Sequence, residues 1–128
     1  MRFLSRRAHG AFDYIVGVVL ILAPRILGFD SGGAEQRVPE ILGFGVILYS
    51  LLTNYELGAL KLISFRTHLA LDVLGGVFLA ISPWVLQFAH LVWVPHMLVG
   101  LIEISAVLAT RTSVSANHPR TPSSPAPM

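Results

Sequence analysis

The sequence predicts an all-α protein: an integral membrane four-helix bundle built from two parallel two-helix repeats. Three observations carry that expectation. Hydrophobic residues make up 54% of the 128 residues and charged residues only 12%, about half the charged share of an ordinary soluble domain. Four apolar stretches are each near the ~20 residues that cross a bilayer as a helix. A unit in the first half of the chain recurs in the second half.

Taken in order, residues 1–8 form a short N-terminal segment carrying Arg2, Arg6 and Arg7. The first apolar stretch runs from Gly10 to Phe29. The second begins at Pro39 and is dense through Leu52, with a weaker extension to Leu60. These two make the first membrane repeat, residues 9–60. The third stretch, Leu69–Phe88, and the fourth, Leu91–Ala109, make the second repeat, residues 61–110. Ile, Val and Phe would also suit strands. Length decides for helices, because barrel strands need only ~10 residues and alternate polar with apolar. Residues 111–128 are rich in Ser, Thr and Pro, a composition that buries no core, and are expected to be disordered.

The first stretch resembles a signal peptide only superficially. Asp13 interrupts its apolar region, and no small-x-small cleavage site follows. Ser5-Arg6-Arg7 is not read as a twin-arginine signal, because the segment has a twin in mid-chain. Of nine Lys and Arg residues, seven fall before the first stretch, between the repeats, or in the tail. Only Arg25 and Arg37 lie in the first hairpin, and none in the second. Positive charge marks the cytoplasmic side, so both termini are expected to be cytoplasmic, with the two hairpins facing out.

The repeat is explicit. Arg7–Phe29 aligns with Arg66–Phe88 at an offset of 59, with ten of 23 positions identical. The identities include Arg7/Arg66, His9/His68, Asp13/Asp72, Gly17/Gly76 and Pro24/Pro83. Hydrophobicity alone does not explain a shared Arg-x-His-x-x-x-Asp followed eleven residues later by proline. The second helices match weakly, Val38-Pro39 answering Val94-Pro95 at an offset of 56. That register sets Ile47 opposite Glu103. Two spans per repeat return the chain to its starting side, so the repeats should be parallel. Gly17, Gly43, Gly45, Gly75 and Gly76 would let backbones approach closely.

Ile81-Ser82-Pro83-Trp84, preceded by the His-x-x-x-Asp helix and echoed by Ala23-Pro24-Arg25, resembles the SPW-repeat family of small bacterial integral membrane proteins. Thr53-Asn54-Tyr55-Glu56-Leu57-Gly58 leading to Lys61 fits the same family. The resemblance covers about residues 6–110. It implies a two-span repeat and a membrane location, and no known activity. The first copy departs from the motif, with Ala23 and Arg25 where Ser82 and Trp84 stand.

The polar residues that call for explanation are Arg7, His9, Asp13, Arg66, His68, Asp72 and Glu103. Each His lies four residues before its Asp, so the two share a helix face and can touch. The expected role is structural: a carboxylate near a helix N-terminus, paired so that it is not bare in lipid. Glu103 is expected to pair with His68, Arg66 or Arg7. A sharper alternative has both His and both Asp converging, to bind a divalent metal or to move protons. Glu-x-x-His and His-Glu-x-x-His spacings are absent, however, so no metal, cofactor or catalytic residue is assigned.

Pro24 and Pro83 should end or kink the outer helix ends. The runs after them, Ile26–Phe29 and Val85–Phe88, should finish the crossing or lie in the interface. Trp84 and Trp93 should sit in the outer interfacial belt. The absence of cysteine excludes disulfides, thiolate chemistry and iron–sulfur clusters. Nothing fixes a haem between His9, His68, His90 and His96. Scattered basic residues exclude a nucleic-acid footprint. The expected partners are the lipid bilayer and a second copy or another membrane protein. The expected function is a non-enzymatic structural or accessory component. The rival is a small transporter or ion-conducting unit using Asp13, Asp72 and Glu103.

Overall fold

The computed structural model describes residues 4–110. The tail from 111 and the charges Arg2, Arg111 and Arg120 lie outside the described residues. Among these residues, four helices follow in order: α1 (Arg6–Ile26), α2 (Ala34–Leu51), α3 (Phe65–Val85) and α4 (Val94–Leu108). Among the described residues there are no strands, only two isolated bridges, Leu4 with Thr110 and Thr53 with Ile63.

The helix bounds differ from the apolar stretches, for local reasons. α1 and α3 begin before the apolar run because Ser5 and Ser64 cap them, each hydroxyl accepting from the backbone N–H three residues on. α2 starts at Ala34 rather than Pro39, so its first turns are polar. The extension from Leu52 to Leu60 is not helical: after Leu52 the chain turns, and Ala59 and Leu60 donate back to the Leu51 carbonyl. α4 has 15 residues, or about 22 Å of helix, short of a full hydrocarbon core. Among the described residues, only α1 and α3 are long and apolar enough to cross a membrane by length and composition.

The prolines sit inside the last turns of α1 and α3 rather than ending them. Each helix closes two or three residues later, when Phe29 N–H and Phe88 N–H donate to the Pro24 and Pro83 carbonyls at 2.8 Å. That six-to-one closure needs a left-handed residue in between. Gly28 supplies it in the first copy, and Gln87 adopts it at φ 62° in the second. The runs after the prolines therefore do not continue the helices. They turn back, and Phe29 and Phe88 pack against His96, with ring centroids 5.3 and 4.9 Å away.

Helices pack as α1 on α2 and α3 on α4, with lighter contact between the hairpins. Glycines set the closest approaches. A Cβ on Gly43 would lie 2.6 Å from the Gly17 carbonyl oxygen, and one on Gly76 would lie 3.0 Å from that of Gly100. Gly45 and Gly75 meet no such neighbour; they line a cavity of about 400 Å³ between α2 and α3. The equivalent contacts Gly17/Gly43 and Gly76/Gly100 fix the register of the second helices at 57, not 56. Glu103 therefore answers Val46 rather than Ile47, and Thr110 answers Thr53.

Candidate functional site: a buried His–Asp quartet

The two N-terminal helix ends, α1 and α3, bring His9, Asp13, His68 and Asp72 together, all buried. His and Asp share a helix face through their four-residue spacing, yet the shorter contacts run between repeats. His9 Nε2 lies 2.7 Å from Asp72 Oδ2, and His68 Nε2 lies 2.6 Å from Asp13 Oδ2. The within-helix distances are longer, 3.0 Å for His9–Asp13 and 3.2 Å for His68–Asp72. Two Nε2 and two Oδ2 atoms thus form a four-cornered ring joining the repeats.

The other imidazole nitrogens are held symmetrically. His9 Nδ1 is 2.7 Å from Thr110 Oγ1, and His68 Nδ1 is 2.8 Å from Thr53 Oγ1. Each threonine hydroxyl donates its single proton to a backbone carbonyl one turn back: Thr53 to Tyr49 at 2.5 Å, Thr110 to Ala106 at 2.6 Å. It can then only accept from the imidazole. The hydrogen-bond pattern therefore assigns Nδ1–H to both histidines and turns both Nε2 atoms toward the carboxylates. At 2.6–2.7 Å, each Nε2···Oδ2 contact must contain a proton. Two protons shared this way give the quartet zero net charge, which is how ionisable groups persist in a low-dielectric interior.

Each threonine belongs to the opposite repeat from the histidine it holds, counting around the chain. Thr53 ends the first hairpin and meets His68 of the second; Thr110 ends the second and meets His9 of the first. The backbone repeats the exchange. Leu4 N–H donates to Ala109 O at 2.7 Å, and Ile63 N–H donates to Leu52 O at 2.8 Å. The start of each repeat is pinned to the end of the other.

Symmetry fails at the edges of the ring. The Tyr49 hydroxyl donates to Asp72 Oδ1, whereas Ala106 occupies the matching place and Asp13 Oδ1 has no protein partner. Glu103 is 5% exposed, and neither carboxylate oxygen has a protein partner. It packs at the level of Gly76 and lines the cavity together with Tyr49 and Asp72. Toward the helix starts, the quartet is covered by Phe65 and Tyr55, whose ring centroids lie 5.7 and 5.6 Å from that of His68. Arg6 lies over Phe65 at 4.9 Å and donates to Asn54 O at 2.7 Å. Burial pushes the Tyr55 phenol up, so the lid is uncharged.

Not every residue singled out in the sequence joins this site. Arg7 and Arg66 are exposed and outside the quartet; the arginine that covers it is Arg6. Glu103 pairs with none of His68, Arg66 and Arg7. Sequence reasoning missed Thr53, Thr110 and Tyr49 as parts of the site. A signal for the threonines was present, since each closes a hairpin at the same offset of 57, but the 56 register hid it.

The repeat motif has a separate structural job. Pro83 lacks an N–H and so frees the Leu79 carbonyl four residues back. Ser82 Oγ donates to that carbonyl at 2.8 Å. Pro39 likewise frees the Glu35 carbonyl, which accepts from His96 Nε2 at 2.9 Å. Trp84 and Trp93 are exposed neighbours, 5.8 Å between centroids.

Fold and site together define a two-hairpin helical protein whose duplicated units are joined by a shared polar core. The SPW repeat domain model matches residues 7–110, and the chain belongs to the SPW repeat family. No curated protein and no solved structure matches it.

Proposed function

We propose that the chain is a multi-pass membrane protein, with two parallel repeats and both termini cytoplasmic in a bacterial inner membrane. Its role is structural or accessory rather than catalytic. Its partners are lipid and a second copy or another membrane protein. The observation that carries this reading is the inverted distribution of polarity. Charged and polar groups fill the centre, while Ile15, Ile41, Phe44, Leu74 and Leu108 leave 62–67% of their surfaces exposed. Water is a poor solvent for such an exterior, and hydrocarbon is a good one. α2 and α4, with polar or short ends, would cross with help from the flanking turns and interfacial tryptophans. The non-catalytic role is supported by the quartet's closure: every nitrogen of His9 and His68 already has a partner.

Reporter fusions at Ala34 and after Arg111 test the topology. They should report opposite sides, and the same side for both would overturn the four-span reading. A second reading, a small ion-conducting unit, is favoured by one observation: the unpartnered Glu103 carboxylate at the polar end of the cavity. Folded protein in liposomes with ion- and pH-sensitive dyes should show no flux above empty vesicles. Flux that Glu103→Gln abolishes would replace the accessory role with transport.

A further inference from the structure

We propose that the quartet is a structural site for a divalent transition metal of the zinc type, which takes the place of the two shared protons. One ligand atom from each of His9, Asp13, His68 and Asp72 lies within 4.8 Å of every other. The donor set is two imidazole nitrogens and two carboxylate oxygens, which suits zinc and its neighbours better than calcium or magnesium, whose sites are built from oxygen.

Three features beyond proximity point to a metal. The imidazoles are oriented as metal ligands require, with Nδ1–H held by a hydroxyl and Nε2 turned inward. Thr53 and Thr110 are themselves fixed by their donation to backbone carbonyls. Charge also balances: two neutral histidines, two carboxylates and one divalent cation sum to zero, as the proton-filled ring does. Finally, Asp13 is fully buried and its Oδ1 has no protein partner, although the same carboxylate's Oδ2 faces the ring. A second oxygen is therefore available to the ion.

The fit requires a modest pucker of the ring. Tetrahedral coordination with bonds of about 2.0–2.1 Å sets all six pairs of ligand atoms roughly 3.3 Å apart. The four ring edges of 2.6–3.2 Å lengthen by a few tenths of an ångström when the ion enters, while the two diagonals, which lie within 4.8 Å, settle at the same value. Four protein ligands leave no open position, the pattern of structural rather than catalytic zinc. The metal would tie α1 to α3 across the repeats, where helix packing is lightest.

The test uses the full chain, purified in detergent without a polyhistidine tag and shown to be monodisperse and helical. It is incubated with Zn²⁺ or Co²⁺ and dialysed. Elemental analysis should find one metal per chain, and Co²⁺ should give the visible absorption of a tetrahedral site. Titrating Zn²⁺ into weakly buffered protein should release about two protons per metal bound, the number that charge balance of the ligands requires. Surface carboxylates would bind without that release. His68→Gln and Asp13→Asn should each remove stoichiometric binding, while Glu103→Gln should keep it. Folded wild-type protein that retains no metal, or binds it with no proton release, overturns the proposal. So does binding that survives both His68→Gln and Asp13→Asn. If a variant fails to fold, the wild-type stoichiometry and proton count still decide.

Discussion

The two repeats are alike where they meet and unlike where they face the cavity. Both supply a capped helix, a His–Asp pair, a terminal threonine and a glycine crossing. Beyond that crossing, the likeness of the second helices stops. Tyr49 in the first repeat stands opposite Ala106, and Glu103 in the second stands opposite Val46. The shared His–Asp pairs and threonines hold one repeat to the other, and the glycine crossings hold each repeat together. The unshared parts leave one carboxylate well bonded and its twin half bare. Duplication thus kept what closes the ring and let its surroundings diverge.

The largest effects should come from the ring itself. Removing one member leaves a buried charged or polar partner uncompensated, which costs about 3–5 kcal/mol. Asp72→Ala should cost more than Asp13→Ala, because it also strands the Tyr49 hydroxyl. Denaturation in mixed micelles measures both. Equal losses would show that the Tyr49 bond, and with it the asymmetry, carries no energy.

The glycine crossings come next. Gly43→Ala and Gly100→Ala each drive a methyl group into a backbone carbonyl of the facing helix, and overpacking of this kind costs about 1–3 kcal/mol. The two should be similar, since the contacts are equivalent. Gly45→Ala, which meets open space, should cost nothing measurable or stabilise by a few tenths through helix propensity. A large loss at Gly45 would mean that the cavity beside it is filled in the folded protein.

Glu103→Val restores the residue type of the first repeat and removes a buried carboxylate without a protein partner. It should stabilise by about 1–3 kcal/mol, the cost of an unsatisfied buried polar group. The same denaturation assay reads it. A loss of stability instead would show that Glu103 has a partner that the described residues do not supply.

Much of this was legible in the sequence, for identifiable reasons. The offset of 59 set Arg7–Phe29 over Arg66–Phe88, because first helices share enough identities to align by eye. That alignment yields the His–Asp pairs and the two hairpins. It does not say that His9 prefers Asp72 to its own Asp13, because the four-residue spacing allows the local contact and only packing decides otherwise. The second helices misled by one residue. Matching prolines suggested 56, but Pro39 lies inside α2 and Pro95 in the first turn of α4, so they are not equivalent. The glycine crossings fix 57, and they are tertiary contacts. Arg7 stands out in the sequence because it repeats in Arg66; position on the helix face, not repetition, puts Arg6 over the lid.

The smallest effect concerns the serine of the repeat motif, where the two copies again differ. The Leu79 carbonyl is freed by Pro83 in a residue only 1% exposed, so water does not reach it and Ser82 supplies the hydrogen bond. Ser82→Ala should cost about 1 kcal/mol, the net worth of one such bond. Ala23→Ser makes the reciprocal change beside Pro24 and should recover a few tenths to about 1 kcal/mol, because Pro24 frees the Leu20 carbonyl in the same way. Detergent-phase unfolding of the two single variants and the double variant decides it. If Ser82→Ala is silent, the serine does not compensate the proline, and the helix ends are held by the Phe29 and Phe88 closures alone.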